Sequence, residues 1–418
     1  MAYQKVTKTS YGSKVKDSIT GLFVGPILII IATICIFWNE NRSIKQYKAN
    51  DRAEGACVEM TIDQINPEYN GKIVHCTGIA HTDEILSESN FGIHVNGICL
   101  KRDVEYYQVV EKTKTESREK IGGGTETITT YYYEKEWTYK PQDNNFEDPN
   151  YVGERNFVYV SLDDNEQMAQ NVSFGAFKLP ENFVSSISGS EPAEVIFDST
   201  LLAQWNTAIK QKMNVPDYAP VNYVHSKDNV AYFGNDINNP QVGDVRVTFT
   251  YIPNDKEISL VADVDTQNKT FSYHKDAKNG MTVGKVMMGN VDAAQMFDEM
   301  NKDNKILTWI LRLVILLVIV YGFKRIFSVA SILPKLIPFL GKGVEYITGF
   351  IAWVLGFAWT FLFIGIAWVA VRPVLGISLL VITVALIVFF IVKGKKKAAA
   401  KEEEAELAAP AQAPANNE

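Results

Sequence analysis

The chain has 418 residues, 47% of them hydrophobic and 21% charged, with a formal net charge of −7. That length leaves room for two or three domains, and an acidic balance with no arginine-rich stripe gives no reason to expect a nucleic-acid partner. The charge is unevenly spread: nearly all of it falls in the middle of the chain, with long apolar stretches on both sides.

Residues 1–20 are polar with scattered lysines and predict a cytoplasmic N-terminus, and 21–38 form an apolar run with no charged side chain. About 20 such residues cross a hydrocarbon core as a helix. The run ends in Phe37-Trp38-Asn39-Glu40-Asn41-Arg42 rather than at a small-residue cleavage site, which predicts a retained span. Residues 39–305 then read as an extracytoplasmic α+β domain in which strands dominate. Residues 40–58 continue the helix away from the bilayer, and Ile73-Val74-His75-Cys76-Thr77 has the β-branched character of a strand. A hairpin runs out from Val104-Glu105-Tyr106-Tyr107, turns at Gly122-Gly123-Gly124 and returns through 127–139. On its return strand Tyr131, Tyr133, Trp137 and Tyr139 share one face. Cross-strand packing is the ordinary explanation of such a row, and a partner or ligand surface is the functional one. Further strands are expected at 157–160, 176–179, 245–251, 258–264 and 270–273, and a helix at 290–302 leads into the membrane.

Three more spans are expected at 306–326, 347–371 and 374–393. Residues 327–346 are apolar but broken by Pro334, Lys335, Pro338, Gly341, Lys342 and Gly343, which suits an interfacial connector. Arg372-Pro373 makes a tight turn between the last two helices. Residues 394–418, rich in Ala, Glu and Pro, predict a disordered cytoplasmic tail. The fold class is therefore a four-helix integral membrane protein, one helix N-terminal and three C-terminal, carrying a large β-rich extracytoplasmic domain. Lysine and arginine near the helix ends put both termini in the cytoplasm and 39–305 outside.

Within the spans, Gly349, Ala352 and Gly356 form a small-residue face for helix packing. Trp38, Arg42, Trp309, Arg312, Arg372 and Pro373 are placed at the membrane interface, with Arg312 snorkelling to headgroups. The near absence of ionisable groups at mid-depth argues against a transport path. No G-x-S-x-G, H-E-x-x-H, P-loop or C-x-x-C signature occurs, so neither enzyme activity nor a cofactor is expected. His75-Cys76 and His81 lack the regular partner spacing of a metal site, and none is assigned. Cys57, Cys76 and Cys99 allow at most one disulfide, its pairing open, and read otherwise as buried small hydrophobes.

Several short stretches, in order, resemble the transmembrane protein 43 (LUMA) family. They are Phe37-Trp38-Asn39-Glu40 with Arg42, Glu54-Gly55, Gly71-Lys72-Ile73-Val74-His75 with Gly78, Arg102-Asp103-Val104-Glu105-Tyr106-Tyr107-Gln108, Gly243-Asp244-Val245-Arg246-Val247, Thr308-Trp309 with Arg312, and Ala367-Trp368 with Arg372-Pro373. The resemblance implies four membrane helices, a large extracytoplasmic or lumenal domain and no enzyme activity. Eukaryotic relatives are associated with the endoplasmic reticulum and inner nuclear membrane, where they oligomerise and contact emerin and lamins. The Ala/Pro/Glu tail here points to a bacterial member, which would replace the lumen by the periplasm or exterior and drop the nuclear partners. The expected function is a self-associating membrane scaffold with a role in membrane organisation, contacting lipids, further copies of itself and other membrane proteins. The competing expectation is a lipid- or ligand-binding sensor that uses the outer domain.

Overall fold

The computed structural model describes the backbone of residues 3–120, 123–332, 338–369 and 373–407. The chain divides into two compact units. The first holds Lys45–Ser117 and Thr127–Asp303 with the N-terminal residues up to Thr7; the second holds Lys8–Ile44, Arg118–Glu126 and the chain from Asn304 onward. The helices are α1 (Tyr11–Ala56), α2 (Glu181–Val184), α3 (Ser199–Lys212), α4 (Ala293–Ile332), α5 (Pro338–Val369) and α6 (Pro373–Leu407).

The first unit is built on two large sheets. In one, Ile73–His81 lies antiparallel to Lys256–Asp265 with Cys76 opposite Leu260. The pairing continues through Thr270–Ser272, Phe177–Leu179 and Val172–Phe174 and returns to Ile73–His81, so five strands close on themselves. Side chains alternate along a strand, and Val74, Cys76 and Ala80 meet Ile258, Leu260, Ala262 and Val264 in the buried interior with Phe174, Phe177 and Phe271. The Cys76 thiol inside is pushed up by burial, and burial also pushes Cys57 and Cys99 up to about 11. All four cysteines, Cys35 included, are free thiols.

The other sheet runs Tyr3–Thr9, Thr125–Thr138, Ile93–Glu119, Val245–Pro253, Val230–Phe233, Val224–Lys227. Its core face carries Val104, Tyr106, Val245, Val247, Phe249 and Phe233 against Phe91, Ile209 and Trp205, the last two from α3. The opposite face carries the Arg246–Glu105 ion pair at 2.6 Å and Tyr232, whose hydroxyl donates to the buried Asp244 carboxylate. Burial holds the Asp244 carboxyl above its ordinary value, against the opposing pull of the Gln241 N–H and the Tyr232 hydroxyl. The folded state therefore binds this proton more tightly than the unfolded chain, and stability falls as pH rises from 3.8 through the raised value. Asp244→Asn is expected to remove that fall, read as urea midpoints that no longer decline across the window; an unchanged decline would place its source elsewhere.

The α+β class with a β-rich domain and membrane helices holds. Among the described residues, three helical segments are long and apolar enough to cross a membrane: Tyr11–Ala56, Ala293–Val329 and Ile347–Val369, followed by the shorter apolar stretch Pro373–Leu386. Elsewhere the structure departs from expectation. Residues 157–160 form no strand; the Tyr159 N–H bonds to the Gly243 carbonyl at 3.0 Å and the ring fills the core. Most of the expected connector 327–346 is helical, α4 continuing to Ile332 and α5 starting at Pro338, while 333–337 lie outside the described residues. The tail expected to be disordered from 394 stays helical to Leu407, since Ala, Glu and Lys are strong helix formers.

Candidate functional site

In the second unit, α1, α4 and α5 carry one polar cluster among otherwise apolar surfaces. Asn304, Thr308 and Arg312 recur every four residues and so line one stripe of α4, while Asn39, Glu40 and Ser43 occupy one face of α1. Arg312 Nε and Nη2 each donate to Glu40, to Oε1 and Oε2 respectively, both at 2.7 Å. Trp368 of α5 donates its indole N–H to the same Oε2 at 2.6 Å. The Glu40 side chain is 2% exposed and that of Arg312 11%. The guanidinium also lies over two indole rings, 4.7 Å from the Trp309 centroid and 5.2 Å from that of Trp368. Next to it Asn39 donates to the Thr308 carbonyl at 3.2 Å, Arg42 donates to Asn304 Oδ1 at 3.1 Å and to Thr308 Oγ1 at 3.0 Å, and Asn304 donates to the Ser43 carbonyl at 2.9 Å. A bidentate pair with its remaining acceptor capacity taken by an indole is a strong, directional tie in a low-dielectric setting. Its chemical capability is to fix the spacing and rotation of three helices.

The expected interface residues divide accordingly. Arg312 does not snorkel, because Glu40, unassigned from sequence, neutralises it among the helices. Arg42 is likewise drawn inward by Asn304 and Thr308. Trp38 and Trp309 are exposed, Pro373 opens α6, and Arg372 lies outside the described residues. Of the expected small-residue face, Ala352 is buried and Gly356 abuts Val320 of α4, where a Cβ would approach Val320 Cγ2 to 2.4 Å, whereas nothing lies within 4 Å of a Cβ placed at Gly349. A close backbone approach lies instead between α1 and α4, where a Cβ on Gly25 would come within 2.6 Å of the Gly322 carbonyl oxygen.

In the first unit the aromatic row is mostly covered. Tyr131 packs on Tyr3 with centroids 5.8 Å apart, and Tyr133 on Phe146 and Tyr151 at 5.2 and 4.4 Å. Burial, with a hydrogen bond to Glu111, pushes the Tyr133 hydroxyl up to about 12. Trp137 meets Tyr107 at 5.2 Å and carries the Arg246 guanidinium at 4.4 Å; Tyr139 is 76% exposed. Beside Trp137 lies an open cavity of about 240 Å³ lined also by Lys227, Tyr232, Pro240 and Arg246. His75 and Cys76 point to opposite faces of their strand, His75 towards Glu59 (2.7 Å) and the Val291 carbonyl (2.8 Å), Cys76 towards the Leu260 carbonyl, so they do not share a ligand position. His81 pairs with Asp255 at 2.7 Å.

Transmembrane protein 43 of Rattus norvegicus is 27% identical over 309 residues, 72% of this chain and 71% of its own length. The Homo sapiens protein of that name is 27% identical over 310 residues, with the same coverage of 72% and 71%. The Transmembrane protein 43 homolog of Drosophila melanogaster is 26% identical over 364 residues, 85% of this chain and 90% of its own. No solved structure matches the chain. The family model described as Transmembrane protein 43 matches residues 106–373, which include the strand Val245–Pro253, Arg312 and Trp368, and with more than half of the sequence so matched the chain belongs to the transmembrane protein 43 family.

Proposed function

We propose that this multi-pass membrane protein is a non-enzymatic scaffold that self-associates through its helices and presents the β-rich unit to partners, with a role in membrane organisation. The observation that carries this reading is the Glu40–Arg312–Trp368 tie. Its charges are spent on each other, as suits a fixed helix arrangement and not a route for ions or protons. The outward apolar side chains of the helices, such as Phe350 and Val381, are left for lipid or for other copies. The Arg/Lys distribution favours a cytoplasmic C-terminus, and a bacterial inner membrane is the setting proposed for it.

The test is native mass spectrometry of the detergent-purified chain, with a discrete oligomer as the expected result. Gly349→Leu is expected to change the subunit number without lowering the melting temperature, because its site is open in the single chain. Gly356→Leu is expected to lower the melting temperature, because its new side chain strikes Val320. A monomer for the unmodified chain would remove self-association. A monomer with tightly bound lipid would favour the second reading, a lipid or ligand sensor, for which the cavity beside Trp137 is the observation in favour.

A further inference from the structure

The two arginines of α4, Arg312 and Arg325, are treated in opposite ways. Arg312 has its Nε and Nη2 taken by the Glu40 carboxylate. Arg325, at the other end of the apolar stretch, has no such partner: its Nε is buried without a hydrogen bond, and no carboxylate among the described residues pairs with it or with Lys324. Its backbone and the root of its side chain are nevertheless held firmly. α1 runs antiparallel to α4 along this seam, and Gly21 lets the two come so close that a Cβ there would lie 2.9 Å from the Arg325 carbonyl oxygen and 3.4 Å from Nε. The Ser18 hydroxyl, on a residue 4% exposed, donates to Ser328 Oγ at 2.7 Å, and Ser328 donates to the Arg325 carbonyl at 2.6 Å. The guanidinium lies 6.0 Å from the centroid of the Tyr321 ring, on a residue 52% exposed. Lys324 is directed instead to α5, over the Trp353 ring at 5.9 Å.

From Asn304 to Arg325 the helix rises about 32 Å, close to the ~30 Å of a hydrocarbon core. Arg325 therefore stands at the boundary where phosphate groups lie. A guanidinium nitrogen buried without a partner calls for an acceptor, the chain supplies none there, and a phosphate matches the guanidinium fork. The Nη atoms, unbonded and not covered, are the ones left for a ligand. Two neighbouring cations without a carboxylate favour a headgroup of net negative charge over one that carries its own cation. We infer that Arg325, fixed by the Gly21 and Ser18 face of α1, forms a headgroup site that takes the phosphate of an anionic phospholipid. An arginine that only reaches for water has a mobile stem and no single place for a lipid; here the packing against Gly21 defines one. The inference rests on α1 and α4 crossing the membrane, and neither on self-association nor on the cavity beside Trp137.

Native mass spectrometry of the full chain in detergent, titrated with phosphatidylglycerol or phosphatidylcholine, tests the site. The unmodified chain is expected to take up one phosphatidylglycerol per subunit in a saturable step, about tenfold more tightly than phosphatidylcholine. Arg325→Gln is expected to bring phosphatidylglycerol down to the phosphatidylcholine level. Lys324→Gln removes the same charge one residue away and is expected to change the affinity by less than about threefold, because its ammonium is directed to Trp353. Arg325→Lys keeps the charge but not the fork, and is expected to weaken binding by about threefold or more; it reads the same site should Arg325→Gln not fold. Excess inorganic phosphate is expected to leave the lipid in place. Equal affinity for the two lipids would overturn the site, as would equal losses in Lys324→Gln and Arg325→Gln or an Arg325→Lys chain that binds like the unmodified one. Displacement by inorganic phosphate would make the occupant a free anion and overturn the lipid. None of these outcomes depends on the subunit number.

Discussion

Arg312→Leu is expected to destabilise the protein by about 3–5 kcal/mol, since it leaves the Glu40 carboxylate, 2% exposed, without its cation. Glu40→Leu should cost a comparable amount by stranding the guanidinium. The double variant Glu40→Leu/Arg312→Leu should recover most of the loss, because two apolar side chains of similar length in a lipid-facing bundle need no partner. Arg312→Lys should fall between, since a lysine keeps the charge but loses both the fork that meets Oε1 and Oε2 and the stacking on Trp309 and Trp368. Thermal unfolding of the four variants in one detergent gives a double-mutant cycle. If the two single losses simply added in the double variant, the pair would not be coupled and the three-helix tie would be the wrong description.

Why Glu40 escaped the sequence reading is instructive. It is the first charge after an uninterrupted apolar run, and such a residue ordinarily marks the point where a helix leaves the bilayer. Its partner lies 272 residues further along, and no local pattern links the two. A usable signal did exist on the other helix: Asn304, Thr308 and Arg312 recur at four-residue intervals in a segment that is otherwise apolar, and a polar stripe there demands a polar partner. The same contrast holds in the β-rich unit. Val245–Pro253 was legible because buried and half-buried side chains alternate along it, and Lys256–Asp265 because it holds a continuous apolar run that is buried on both faces. Tyr3–Thr9 was not legible, because its side chains are nearly all exposed and it is held by the hairpin rather than by a core. The closure of the five-stranded ring rests on one parallel pairing, Thr270 beside Lys178, which no short-range pattern announces. For α3 the start signal was present in Asp198, whose Oδ1 accepts the Leu201 N–H at 2.8 Å, but its apolar positions are too few to stand out.

Gly25→Leu and Gly322→Leu are expected to be the most damaging substitutions in the membrane helices. Gly21-Leu22-Phe23-Val24-Gly25 is a G-x-x-x-G segment, the spacing that places two glycines on one helix face and lets a neighbouring backbone come close. In the structure that face of α1 is occupied by α4 of the same chain. A Cβ on Gly21 would lie 2.9 Å from the Arg325 carbonyl oxygen, and one on Gly25 2.6 Å from that of Gly322; one on Gly322 would lie 2.7 Å from Ile29 Cγ1 and 3.0 Å from the Gly25 carbonyl oxygen. Because backbone carbonyl oxygens are among the obstructing atoms at all three glycines, a change of rotamer alone cannot accommodate a new side chain, and the helices must separate. Gly25→Ala alone is expected to cost about 1–3 kcal/mol. The leucine variants should cost more, because separation also strips packing from Ala32, Ile36, Ile315 and Ile319 further along the seam. Melting in detergent reads the loss, and Gly349→Leu serves as the control at a glycine with open surroundings. A Gly25→Leu protein that melted with the unmodified chain would show that this seam is free to open, and that the glycines of α1 are available to another copy.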